Sequence, residues 1–262
     1  MIKHIEFKKF DTNTYPFNIT CIKNTESLDL SNPITIFVGD NGSGKSTLLK
    51  SIAYYNNSIN VSSYDISSSY YDDIKALSSK MKCIYKVRTN KGFFFSGEEF
   101  ISYINELKRM KKDLKEELRR VDEEYKDKSV FAQNQARMAF AGQLFEMNQA
   151  YSGELKHMSH GEGFLEFFKA RMHQNGIYLL DEPETPLSAI NQYQLVVLIT
   201  DLVRSGSQVI IATHSPIIMA LKDAKIYNFS EDKIEEVKYE DIESVSFMKH
   251  FLNDKDNFIN RI

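Results

Sequence analysis

Cysteine is nearly missing from this chain, since Cys21 and Cys83 are the only two. Two thiols cannot form a disulfide framework, and they lack the paired spacing of a zinc site, so both are expected as buried thiols. No stretch reaches the ~18 apolar residues of a spanning helix. The N-terminal IKHIEFKKF interrupts its apolar pairs with charge, leaving no signal-peptide core. A soluble, cytoplasmic protein without a transmembrane segment is expected. An excess of positive charge is missing too: 33 Lys and Arg face 36 Asp and Glu, a formal charge of −3. The molecule as a whole therefore has no basic field for holding nucleic acid, and any such contact must be local.

What remains is ordinary globular material, 42% hydrophobic and 26% charged over 262 residues. That suits one large domain, or a domain with a modest insertion, and excludes disordered, collagen-like and porin-like chains. Alternation in IKHIEF (2–7) and the β-branched run ITIFV (34–38) predict two early strands, and KSTLLKSIAYY (45–55) predicts a helix. The Ser, Asn and Tyr of residues 56–73 show no helical period and predict a loop. CIYKV (83–87) and GFFFS (92–96) read as a strand pair about a turn at Asn90 and Lys91. From Glu98 to about Lys128, apolar residues at steps of three and four predict one long amphipathic helix. Its polar face carries Lys108, Arg109, Lys111, Lys112, Lys115, Arg119 and Arg120. That face is either a solvated surface with local charge pairs or a ridge that touches DNA.

A polar, Met-rich connector follows. The chain then alternates helix and strand through GFLEFFKARM, IYLLDE, INQYQLVVLITDLVRS, QVIIAT and KIYNF. Strands separated by helices imply right-handed βαβ units and a mostly parallel sheet, hence the α/β class.

Three stretches carry chemistry. Residues 39–47, GDNGSGKST, satisfy G-x-x-x-x-G-K-[ST] with a strand before and a helix after. Backbone N–H groups from Asn41, Gly42, Ser43 and Gly44 would cradle phosphate at the helix N-terminus. Lys45 would reach the β- and γ-phosphates, Ser46 would ligate Mg2+, and Thr47 would support the α-phosphate. IYLLDE ends a strand in two carboxylates. Asp181 would serve the metal and Glu182 would polarise the attacking water as general base. An acidic pair that merely opens a loop is the plainer alternative. QVIIATHSP delivers His214 to the carboxyl end of another strand, where open α/β sheets bind their ligands.

In this order, GDNGSGKST, IYLLDEPE and IIATHSP resemble the Walker A, Walker B and switch-histidine motifs of ABC-type ATPases. The soluble heads of the SMC and RecF-like branch are the nearest in character. The resemblance implies a P-loop NTPase fold with an N-terminal antiparallel β portion and an ABC-type helical lobe. Residues 1–91 and 176–262 would form the core lobe and 92–175 the helical lobe. It also implies a signature loop, for which MSHGEGF offers Ser159 and Gly161, with His160 where glycine is usual and Glu162 in place of glutamine. Helix capping by Ser159 is the ordinary alternative and is compatible with that role. No glutamine occurs where the family places its Q-loop, so Glu98 is the candidate metal contact there; it can also be read as a first-turn acid. Ser188 falls in the place of the D-loop. Tyr15 stands where transporter heads put an adenine-stacking aromatic, although a core or loop tyrosine is the simpler reading.

The resemblance further implies a homodimer that closes around two Mg2+·ATP and acts on DNA or on a nuclease or effector protein. The alternatives are the nucleotide-binding subunit of an ABC transporter, and a P-loop kinase or nucleotide sensor. A sensor has no need of Glu182. The insertion, about 30 residues without a CxxC hook, is too short for a tethering coiled coil.

Overall fold

The computed structural model describes residues 1–10, 12–61, 71–150 and 160–259. In chain order its elements are β1 (Ile2–Phe7), α1 (Thr20–Lys23), β2 (Ser27–Asp29), β3 (Ile34–Gly39), α2 (Lys45–Tyr55), β4 (Ile59–Asn60), α3 (Asp72–Ser79), β5 (Met81–Tyr85) and β6 (Gly92–Ser96). Next come α4 (Gly97–Glu124), α5 (Val130–Ala150), α6 (His160–Arg171), β7 (Ile177–Asp181), α7 (Ala189–Arg204), β8 (Gln208–Ala212), α8 (Pro216–Met219), β9 (Lys225–Phe229), β10 (Ile234–Val237), α9 (Glu243–Asn253) and α10 (Lys255–Ile259).

Seven strands form one sheet in the order β10-β9-β3-β8-β7-β6-β4, parallel throughout except for the β9–β10 pair. The antiparallel trio β2-β1-β5 forms a second sheet. Strands β3, β7 and β8 are buried on both faces, which is why they read as unbroken apolar runs. Alternate side chains serve two cores. Phe37 and Phe94 face the small sheet and α2, whereas Ile36, Val38, Phe93 and Phe95 face α6 and α7.

Two expectations fail here. GFFFS does not pair with CIYKV. The latter lies in β5 against β1, while β6 pairs in parallel with β7. Four consecutive buried residues in β6 belong in the middle of a parallel sheet, where no hairpin partner can lie beside them. The helical insertion therefore starts at Gly97 and not at residue 92. The supposed connector contains a second helix, α5, whose Arg137 ion-pairs with Asp122 of α4 at 2.7 Å, making a helical hairpin. A 28-residue α4 is about 42 Å long. Its start is fixed by Ser96, whose hydroxyl accepts from the Glu99 amide. Along its basic face Arg109, Lys112 and Arg120 each approach a carboxylate of the same helix within 4.0 Å, which favours the solvated reading of that surface. The loop predicted for residues 56–73 lies partly outside the described residues, and its first part holds β4.

Phe95 joins the sheet to the helices, with ring centroids 5.4 Å from Phe100 of α4 and 5.0 Å from both Phe164 and Phe168 of α6. Phe95→Ala is expected to cost about 3–5 kcal/mol in denaturant unfolding. A loss under about 1 kcal/mol would show that this cluster does not hold the two layers together.

Candidate functional site

Four adjacent strands end at one edge of the sheet. Ser96, Asp181 and Ala212 lie abreast at the ends of β6, β7 and β8, and β3 follows with Phe37 beside Ala212. Each strand then releases a chemical group: Lys45 after β3, His214 after β8, the Asp181–Glu182 pair from β7, and the first turn of α4 after β6. This is the crevice at which open parallel sheets take ligands.

The loop after β3 turns sharply, with Gly39, Gly42 and Gly44 all at positive φ. At Gly39 a Cβ atom would lie 2.4 Å from the Phe229 carbonyl oxygen, so the β3–β9 pairing itself requires glycine there. Asn41 and Gly42 form the exposed crest of the turn and Ser43 descends to Gly44, the residue before α2. Lys45 folds back over this loop, its Nζ donating to the carbonyls of Gly39 and Asp40 at 2.8 and 2.7 Å. Burial lowers its pKa, against the opposing fields of Glu182 and Asp181. Thr47 Oγ1 lies 3.0 Å from the hydroxyl of Tyr15, which places the half-exposed Tyr15 ring beside the loop.

Ser46 Oγ donates to Asp181 Oδ1 at 2.7 Å, joining two positions 135 residues apart. Asp181 is buried, and burial pushes its pKa up to about 6 against the field of Lys50 and the Ser46 hydrogen bond. Glu182, next in the chain, has φ +46° and donates its amide to the Ala212 carbonyl at 2.8 Å. A non-glycine residue in the left-handed region is strained. Here the strain turns the carboxylate toward the crevice, where Oε1 lies 3.9 Å from His214 Nε2. Glu184 Oε1 accepts the His214 amide at 2.6 Å, tying the exit of β7 to that of β8. Burial and Lys45 lower the pKa of His214, so its ring is neutral at neutral pH and able both to donate and to accept.

Not every predicted residue joins the group. Glu98 is exposed. The acid turned inward is its neighbour Glu99, whose Oε1 lies 2.9 Å from Lys50 Nζ. Consecutive helical residues point about 100° apart, so only one of the pair can face the crevice. Ser159 lies outside the described residues, and Gly161 falls in the first turn of α6. Ser188 caps α7, accepting from the Asn191 amide at 3.4 Å. Both thiols are buried as expected, and Cys21 donates to the Ser43 carbonyl at 3.2 Å.

Mg2+ usually takes one or two protein oxygens and draws the rest from water and substrate phosphates. The Ser46 hydroxyl and the Asp181 carboxylate are such oxygens, already 2.7 Å apart. Among the described residues no group of three His, Cys, Asp or Glu side chains is placed to hold a metal alone. The donor set thus fits a metal that arrives with a phosphate ligand.

A family model described as "AAA ATPase domain" matches residues 58–219, more than half of the chain, and one described as "AAA domain" matches residues 17–55. The chain belongs to the AAA ATPase domain family. Solved structures similar to this family member include the SMC head domain from Thermotoga maritima, at 13% identity and a TM-score of 0.44, over 90% of this chain and 99% of that one. The Smc head of Pyrococcus furiosus bound to the C-terminal domain of ScpA shows 13% identity and a TM-score of 0.42, over 97% and 99% of the two chains. The protein cbiO1 from Clostridium perfringens, part of the ABC transporter complex cbiONQ, shows 16% identity and a TM-score of 0.39, over 98% of each. No curated protein sequence matches the chain.

Asp181 supplies a prediction free of any ligand. A carboxyl whose folded pKa is raised loses stability as pH rises from about 4, its unfolded value, to about 6, and the loss then stays constant. Asp181→Asn should therefore stabilise the nucleotide-free protein by about 3 kcal/mol above pH 6, an advantage that vanishes below about pH 4. Unfolding midpoints across pH 4–8 check this, and equal stability at pH 8 would contradict the burial of a charged Asp181.

Proposed function

We propose that this chain hydrolyses ATP, and that ATP closes two copies into a homodimer whose opening and closing drives a nucleic-acid-related or defence-type partner, DNA or a nuclease or effector protein. The observation that carries the reading is the Ser46–Asp181 hydrogen bond at the mouth of the sheet, with Lys45, Glu182 and His214 around it. A phosphate loop alone occurs in kinases and sensors. A loop whose metal-binding hydroxyl is bonded to the first acid of a D-E pair, with the second acid free to face solvent, is built for hydrolysis.

Each residue then has a task. The backbone of Asn41 to Ser46 surrounds the phosphates at the N-terminus of α2, where the helix dipole favours negative charge. Lys45 exchanges its two carbonyl acceptors for β- and γ-phosphate oxygens. Ser46 and Asp181 would hold Mg2+, which when bound supplies charge neutralisation on the phosphate oxygens. Glu182 accepts a proton from water as that water attacks the γ-phosphorus, the bond to the β–γ bridging oxygen breaks, and ADP leaves with its electron pair. His214, neutral and pinned through its amide by Glu184, donates a hydrogen bond to the γ-phosphate. Tyr15 lies beside the loop at a place suited to a nucleobase. Ser159 and Gly161 of the MSHGEGF stretch would meet the γ-phosphate bound by the second copy, which makes closure depend on the nucleotide.

Two elements bear on the partner. The α4–α5 hairpin is too short to reach a distant tether, so a partner must engage near the head itself. Among the described residues no helix is long and apolar enough to cross a membrane.

The reading is tested with Glu182→Gln. In ATP and Mg2+ this variant should accumulate as a dimer by light scattering, with turnover reduced about 100-fold or more. A variant that stays monomeric and hydrolyses at the normal rate would defeat the assignment of Glu182 as base.

A further inference from the structure

A second cation stands behind the metal position. Lys50 is one helical turn beyond Ser46 on α2, and its ammonium meets Glu99 of α4 at 2.9 Å, with only 20% and 11% of the two side chains exposed. The other Glu99 oxygen accepts from the Tyr71 hydroxyl at 2.8 Å and from the Asn60 amide at 3.2 Å. The Lys50 ammonium also lies 5.9 Å from the centre of the Tyr71 ring. Four separate segments, α2, β4, the start of α3 and α4, thus hold one ion pair. Buried charge is tolerated only when paired and hydrogen-bonded, and this pair is both.

Its location gives it a purpose beyond packing. Ser96, three residues before Glu99, is in register with Asp181. Helix α2, which carries both Ser46 and Lys50, packs against β6 and β7. The pair therefore joins the helix that carries Ser46 to the helix that follows the neighbour of the Asp181 strand, one charge of each sign.

We propose that Lys50 is a positioning residue for the metal–nucleotide complex: held by Glu99 and Tyr71, it sets the charge that a divalent cation meets beside Asp181. The inference rests on the ATPase reading and assigns within it a residue pair that the phosphate loop and the D-E pair do not contain. Lys50 repels a divalent cation and attracts free nucleotide, while Glu99 does the reverse. The balance between them fixes how much of the affinity for nucleotide depends on the metal.

The sign of the effect separates this role from a structural one. The affinity of the full-length protein for a non-hydrolysable ATP analogue is measured calorimetrically in saturating Mg2+ and in EDTA, and the ratio is the contribution of the metal. Lys50→Met should raise that ratio by about three- to tenfold and Glu99→Gln should lower it by a similar factor. The double variant should return near the wild type, and Lys50→Arg should match the wild type. If both single variants shift the ratio in the same direction, or leave it unchanged while weakening binding in both conditions, the pair is structural and the proposal is overturned. Should Lys50→Met fail to fold, Glu99→Gln against the wild type decides alone, since an unchanged or raised ratio contradicts the proposal. A wild-type protein that binds the analogue in neither condition overturns the ATPase reading itself, a result distinct from the others.

Discussion

A buried carboxylate organises the site. Asp181 is buried at the end of a central strand, and its charged form depends on Lys50 and the Ser46 hydroxyl. Burial without partners would neutralise such a group. The hydrogen bond to Ser46 therefore fixes the distance between two strand ends, β3 through its loop and β7 directly. The positions of Lys45, Glu182 and His214 follow from that spacing, because Glu182 and His214 lie one and two residues past the ends of β7 and β8, and Lys45 is bonded back to the Gly39 carbonyl at the end of β3.

The same edge carries the helical hairpin. At Gly97, the first residue of α4, a Cβ atom would lie 2.2 Å from the Glu182 carbonyl oxygen. Helix α4 thus starts in direct backbone contact with the residue whose strained φ aims the candidate base. Two residues later Glu99 reaches Lys50 on the phosphate-loop helix. A rotation of the hairpin cannot leave either contact unchanged, which gives the proposed nucleotide site a mechanical connection to the hairpin. Interfaces of this packed kind shift between discrete arrangements and do not deform continuously.

Much of this was legible in the residues. GDNGSGKST, IYLLDE and QVIIATHS each place their chemistry at the end of an apolar run, and buried parallel strands look alike in any sequence that contains them. The amphipathic period of α4 was readable for the same reason, since one face of that helix is solvated. GFFFS was misread because periodicity cannot tell a strand's partner, only its burial, and a nearby turn invited a hairpin. Helix α5 was missed because its apolar and polar residues do not separate cleanly into faces. Which of two adjacent acids faces inward depends on a helical phase that Ser96 sets by capping, one residue before the helix begins. Lys50 gave no signal at all, as a lysine on an amphipathic helix ordinarily faces water. Only the fold brings Glu99 and Tyr71 to it.

The account stands on one convergence, that of the glycine turn, the buried acid and the neutral histidine around a single triphosphate. Equilibrium dialysis with a labelled non-hydrolysable ATP analogue and Mg2+ tests it most directly. One analogue should bind per chain in the wild type, and Lys45→Ala should abolish that binding while leaving the unfolding midpoint of the free protein nearly unchanged. Equal retention of the analogue by both proteins would place the nucleotide somewhere else and contradict the account.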